Sequence, residues 1–170
     1  MIEPDKILGY LRGSCRVLLE QGTLGVKRWP LRPTQREALV AYTGFLDRTD
    51  LTAADKLTGY FEIPTGVGKT ALFGALIDKA VMLAAADGVA LRVGIVAPRT
   101  NLLTQTRNEI EGLNPKLASD IGVYGGSERV GDRPVTIITY DSWSNLTDRN
   151  ALTVKDFDLL IADEAHRGTS

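Results

Sequence analysis

The chain has few of the residues that hold metals and disulfides. Cys15 is its only cysteine and His166 its only histidine. No internal disulfide can form, and a Cys/His zinc cluster is excluded by count. Cys15 is expected to be a small buried residue of a helix. No apolar run approaches the roughly 20 residues that span a bilayer. The opening MIEPDKILGY carries acids where a secretory signal needs basic residues. The chain is therefore expected in the cytoplasm, with no membrane partner. It also lacks a strong overall charge: the net is −1. The charge is uneven, however, since residues 1–48 hold eight basic and five acidic residues and the remainder 12 and 16. A basic arm touching nucleic acid is permitted by this, and a solvated helix face explains it equally well.

With 170 residues, 44% hydrophobic and 24% charged, the chain reads as one globular domain, neither disordered nor membranous. Its most informative stretch is GYFEIPTGVGKT, residues 59–70. A short β-favouring run (Tyr60, Phe61, Ile63) feeds Pro64, Thr65, Gly66, Val67, Gly68, Lys69 and Thr70, and a long apolar helix follows. A strand ending in a glycine-rich turn at a helix N-terminus aims free backbone N–H groups and the positive end of the helix dipole at one small volume, which suits a polyphosphate. Lys69 would add charge at the β/γ-phosphates, and the Thr70 hydroxyl a ligand for Mg²⁺. Ile63 stands where the wider phosphate-loop pattern has its first glycine.

Along the chain, Ile7, Leu11, Cys15 and Leu18 recur at helical spacing over residues 4–20. Residues 27–33, KRWPLRP, are too rich in proline for regular structure and read as an extended lead-in. Thr34, Gln35, Arg36 and Glu37 have the capping-box form, with Thr34 as the cap. Gln35 then sits in a first helical turn just upstream of the phosphate loop. Its amide complements an adenine edge, and Arg32 could stack on a base or simply be exposed. Residues 70–86 predict a buried helix, 90–97 a buried strand, 100–111 a helix, and 120–124, 134–139 and 157–162 further strands. Continuous Val/Ile/Leu strands alternating with helices predict an α/β fold, a mostly parallel sheet covered on both faces. In such sheets ligands bind beyond the strand carboxyl ends. The last strand runs into Asp163 and Glu164. There, opposite a phosphate loop, Asp163 can hold Mg²⁺ and Glu164 can orient and deprotonate the attacking water.

PTGVGKT, DEAH and the upstream LRPTQ together resemble the first motor domain of superfamily 2 helicases of the DEAD/DEAH-box kind. In their ordering they are similar to the motor subunits of type I and type III restriction enzymes. The resemblance covers about residues 31–167. It implies a RecA-like ATP-binding domain over 31–170, truncated after the DEAH motif and preceded by an N-terminal helical extension over 1–30. It implies that Gln35 reads adenine, that residues 64–70 hold ATP and that residues 163–166 form the acidic motif, with His166 coupling nucleotide state to nucleic acid. Pro98, Arg99, Thr100 and Gln105 fall on a segment that in these motors contacts the polynucleotide backbone. Gly125 and Gly126 resemble a paired-glycine turn and Thr139 opens a further contact segment. DNA is favoured over RNA as the partner.

A motor of this kind also needs a second RecA-like domain, in cis or in trans, to supply arginine fingers, which are worth about 10³ to 10⁵ in rate. These residues alone are therefore expected to hydrolyse ATP very slowly. The alternative is a non-enzymatic, nucleotide-gated module that recruits nucleic acid or a partner. A metabolic P-loop kinase fits poorly, because it leaves Gln35 and residues 98–105 unexplained.

Overall fold

The computed structural model describes residues 1–58, 63–64, 66–125, 128–130, 133–149 and 156–163. Its elements run α1 (Pro4–Gln21), β1 (Thr23–Leu24), β2 (Trp29–Pro30), α2 (Pro33–Leu46), α3 (Ala53–Leu57), α4 (Lys69–Ala86), β3 (Val93–Ala97), α5 (Thr100–Leu113), a 3₁₀ turn (Pro115–Asp120), β4 (Ile121–Gly125), β5 (Glu128–Val130), β6 (Val135–Thr139), α6 (Tyr140–Asp148) and β7 (Leu159–Ala162). The expected strand through Tyr60 and Phe61 lies outside the described residues. Among those residues no helix is long and apolar enough to cross a membrane.

The first helix begins at Pro4, whose missing N–H costs nothing in a first turn. It ends at Gly22, where a φ of 64° lets the backbone turn left-handed and donate to Leu18 O at 2.9 Å. Ile7, Leu8, Leu11, Cys15 and Leu18 are all buried in the main core. The approach to α4 is close: a Cβ on Gly13 would stand 2.8 Å from Leu83 Cδ1, and Ser14 Oγ donates to Leu76 O at 2.6 Å.

Burial pushes the Cys15 thiol up to about 11, so the reactive thiolate is suppressed in the folded chain. A thiol reagent at about pH 8 is expected to label Cys15 only as fast as the protein unfolds. Rapid stoichiometric labelling without denaturant would contradict its burial. The unfolded thiol loses its proton near its ordinary value of 9.0. The contribution of this group to stability is therefore complete below that pH and declines as pH rises towards about 11.

Two local expectations need correction. Within residues 27–33, Trp29 and Pro30 pair antiparallel with Leu24 and Thr23; a two-residue edge strand tolerates proline because one face of its ladder is open. Helix α2 starts at Pro33 with Arg32 as its cap, not at a Thr34 cap. The proline ring fixes φ for a first helical residue and has no N–H to lose. The Gln35 carboxamide then accepts from the Arg32 N–H at 3.0 Å.

The main sheet has the order β5-β4-β6-β3-β7. The four strands β4, β6, β3 and β7 are parallel, and β5 is antiparallel at the edge. This is the α/β, mostly parallel arrangement expected. Side chains alternate across the sheet. Val93, Ile95, Ala97, Val123, Val135 and Ile137 join the core that contains α1, α4 and α5. On the opposite face a Cβ at Gly94 would meet Leu160 and the Phe157 ring. Phe157 lies 6.1 Å from Trp143 of α6. Helices thus cover both faces, which is why strands this apolar form here.

Candidate functional site

The parallel register brings distant parts of the chain to one edge of the sheet. Ala97 pairs with Thr139 and Val96 with Ala162, so Pro98–Thr100, Tyr140 and Asp163 all emerge from the same strand ends. The Asp163 N–H donates to Val96 O at 2.8 Å and extends the β3–β7 ladder by one residue. The N-terminus of α4 reaches the same place. Lys69 Nζ stands 3.0 Å from Asp163 Oδ1, with the two side chains 30% and 10% exposed. A partly desolvated pair of this kind holds both charges in fixed positions. Thr70 follows Lys69 in the first turn of α4.

Upstream of Lys69, Gly66 and Gly68 have φ of 84° and 78°, a region L side chains enter only at a cost. Gly68 caps α4, and its carbonyl accepts from Leu72 N–H at 3.1 Å and from Gln35 Nε2 at 3.2 Å. Gln35 is 3% exposed, so its amide is held at both ends, by Arg32 N–H and by Gly68 O. Arg32 itself is exposed and donates through NH1 to Gly66 O at 3.2 Å. Gln35 and Arg32 therefore lie directly against the glycine-rich loop. Each retains donors beyond these bonds. Ile63, at the position the wider pattern gives to glycine, packs against the core. Pro64 is exposed and Val67 half-buried. Thr65, Gly126, Glu164, Ala165 and His166 lie outside the described residues.

Tyr140 was not singled out by the sequence beyond its place in the segment after Thr139. Its phenol donates to Asp163 O at 3.3 Å. Burial, and then the Asp163 charge, raise its pKa. The available signal was its position one residue beyond a strand carboxyl end.

On the polynucleotide side, Arg99, Thr100 and Gln105 are exposed at and beyond the start of α5, with the Gln105 amide donating to Glu109 at 3.1 Å. Pro98 is half-buried. Two residues expected on this path lie inside instead. Thr139 is 4% exposed, and its hydroxyl caps α6 by accepting from Ser142 N–H at 3.1 Å. Gly125 is buried in β4, paired with Glu128, and a Cβ there would collide with Leu103; its lack of a side chain serves packing. A groove of about 270 Å³ further along α5 is lined by Thr104, Arg107, Asn108, Glu111 and Val123. None of the expected ATP-binding residues reaches it.

Asp163 and Thr70 offer a carboxylate and a hydroxyl, hard oxygen donors that match Mg²⁺. Lys69 beside Asp163 supplies the cation that a phosphate group seeks. Among the described residues no cluster of three or more His, Cys, Asp or Glu side chains could hold a metal by itself.

The family model described as type III restriction enzyme, res subunit, matches residues 28–170. The chain is 32% identical over 138 residues to a putative DNA 3'-5' helicase Rad25 of Halobacterium salinarum, a match covering 80% of this chain and 19% of that protein. A solved structure of a hypothetical ATP-dependent RNA helicase from Sulfolobus tokodaii superposes with a TM-score of 0.49 at 22% identity, over 61% of this chain and 31% of that one. The chain thus spans about a fifth of the length of its curated relative.

Proposed function

The chain belongs to the type III restriction enzyme res subunit family, and on that premise we propose that it is the ATP-binding domain of a nucleic-acid helicase or translocase. In this reading residues 31–170 form the RecA-like first motor domain, with residues 1–30 a helical extension packed on it. Residues 64–70 cradle the triphosphate. Lys69 neutralises its β/γ-phosphates, and Gln35 and Arg32 take the adenine. Thr70 and Asp163 would hold Mg²⁺, which supplies charge neutralisation at the phosphates when bound. Glu164 orients and deprotonates the attacking water, and His166 couples nucleotide state to the nucleic-acid side. Arg99, Thr100 and Gln105 meet the polynucleotide backbone, with DNA favoured over RNA. Full turnover draws on a second RecA-like domain in cis or in trans, and these residues alone turn over slowly.

The observation that carries the reading is the 3.0 Å contact between Lys69 and Asp163. It joins two segments 94 positions apart, one bringing a cation and amide groups and the other an acid. Titration of a fluorescent ATP analogue against wild type and Lys69→Ala tests it. The expected loss is roughly ten- to a hundredfold in affinity, the range for removing one charged hydrogen-bonding partner. Equal affinities would remove the phosphates from this loop.

A further inference from the structure

Arg28 is the one non-glycine residue with positive φ among the described residues, at 56°. It closes the turn between β1 and β2, donating its N–H to Gly25 O at 3.1 Å. Gly25, at φ 71°, takes the other left-handed position. Glycine or asparagine ordinarily fills both, because a Cβ there crowds the backbone. An arginine at this point stores strain that glycine would release, and strain of this kind collects where a side chain is used.

The surroundings say what the use is. The hairpin is seated firmly: Val26 N–H donates to Leu113 O at 2.7 Å and Leu31 N–H to Gly22 O at 2.9 Å. A Cβ at Gly25 would stand 2.8 Å from Leu113 O. Outward from this base the chain presents Lys27, Arg28 and Arg36, all exposed, with no acid between Gln21 and Arg36. Trp29 stands among them 45% exposed, with Lys27 Nζ 5.9 Å from its ring centre. A rigid turn that combines a half-exposed aromatic ring with a run of cations matches the two demands of a single strand, stacking for a base and charge for phosphates. A duplex, whose base faces are covered, would use only the cations.

We infer that the Gly25–Pro30 hairpin is a docking element for single-stranded polynucleotide, with Trp29 stacking on a base and Lys27 and Arg28 taking the flanking phosphates. This rests on the polynucleotide partner proposed above and adds a surface at the far end of α5 from Arg99 and Thr100. Stacking on the Trp29 indole alters its emission, and the phosphate contacts make binding weaken with salt.

The test titrates labelled oligo(dT) and oligo(rU), in parallel with the matching duplex, and follows both anisotropy and tryptophan emission at low salt. Wild type is expected to bind the single strands with a change in emission that Trp29→Phe diminishes. Trp29→Ala should bind roughly tenfold more weakly. Arg28→Gly should also bind more weakly, with a salt dependence shallower by about 0.7 in log–log slope. The same Arg28→Gly chain should melt no lower than wild type, because glycine relieves the turn; a merely structural arginine would show no change in affinity or slope. Unchanged binding by both Arg28→Gly and Trp29→Ala overturns the hairpin proposal and leaves the motor reading standing. If wild type binds the ATP analogue but no single strand at low salt, the polynucleotide part of that reading falls with it. A Trp29 response to ATP alone, without one to polynucleotide, would also overturn the proposal.

Discussion

Gly68→Val is expected to weaken binding of a fluorescent ATP analogue by at least about a hundredfold, more than removing the Lys69 amine. Two costs combine. A β-branched residue at φ 78° sits in a region it rarely enters, at roughly 1–3 kcal/mol. Its Cβ would also stand 2.8 Å from Gln35 Nε2. That amide is buried and tied to Arg32 N–H and Gly68 O, so it can move aside only by giving up bonds worth about 0.5–1.5 kcal/mol each. The costs act on the carbonyl and amides that begin α4, and the substitution therefore disturbs several phosphate-facing groups together. A cycle with Gln35→Ala separates the terms: the steric part should vanish in that background and the strain part should persist. Melting temperatures without nucleotide give the readout. If Gly68→Val costs as much stability in the Gln35→Ala background as it does with Gln35 in place, the close packing of this amide on the loop is refuted.

The largest loss of stability is expected from Ile137→Ala. Ile137 is fully buried on the central strand, between Ile95 of β3 and Val123 of β4. Emptying such a site costs about 2–5 kcal/mol, transfer and cavity together. At about 2–4 °C per kcal/mol for a chain of this size, melting should fall by roughly 4–20 °C. Ile137→Val should cost about 0.5–1.5 kcal/mol. A fall of under about 2 °C for the alanine variant would mean that β6 is not the middle of the sheet.

The long elements were legible because burial writes itself into them. The apolar strands at 93–97, 121–125 and 135–139 and the helix at 69–86 need partners on every side, and their composition says so. Short elements carry no such record. The β1–β2 hairpin has two residues per strand and one of them is proline. The β5 edge strand, Glu128–Val130, is three residues long. Helix α3 was not anticipated, although Thr52 and Asp55 form a reciprocal capping box in the pattern Thr-Ala-Ala-Asp. The helix is only five residues long, too brief for periodicity to draw the eye.

The meeting of Lys69 and Asp163 was readable because glycines before one helix and the end of one apolar strand fix where each lies. The contact of Arg32 with Gly66 was not, since 34 positions separate them and a guanidinium will bond any carbonyl within reach. The burial of Thr139 and Gly125 was hidden for a related reason. A hydroxyl that caps a helix and a glycine that admits Leu103 look the same, as letters, as a hydroxyl and a glycine that face phosphate.

The bond from Asp163 to Val96 O gives the acid a mechanical address. Val96 lies three residues before Arg99, on the strand whose end carries Arg99 and Thr100 to the surface. Displacing the last residues of β3, as a tug on the start of α5 would, carries the Asp163 backbone along through the β3–β7 ladder and the 2.8 Å bond that extends it. Load at one place and charge position at the other are thus joined through a few peptide units and the hydrogen bonds between two neighbouring strands.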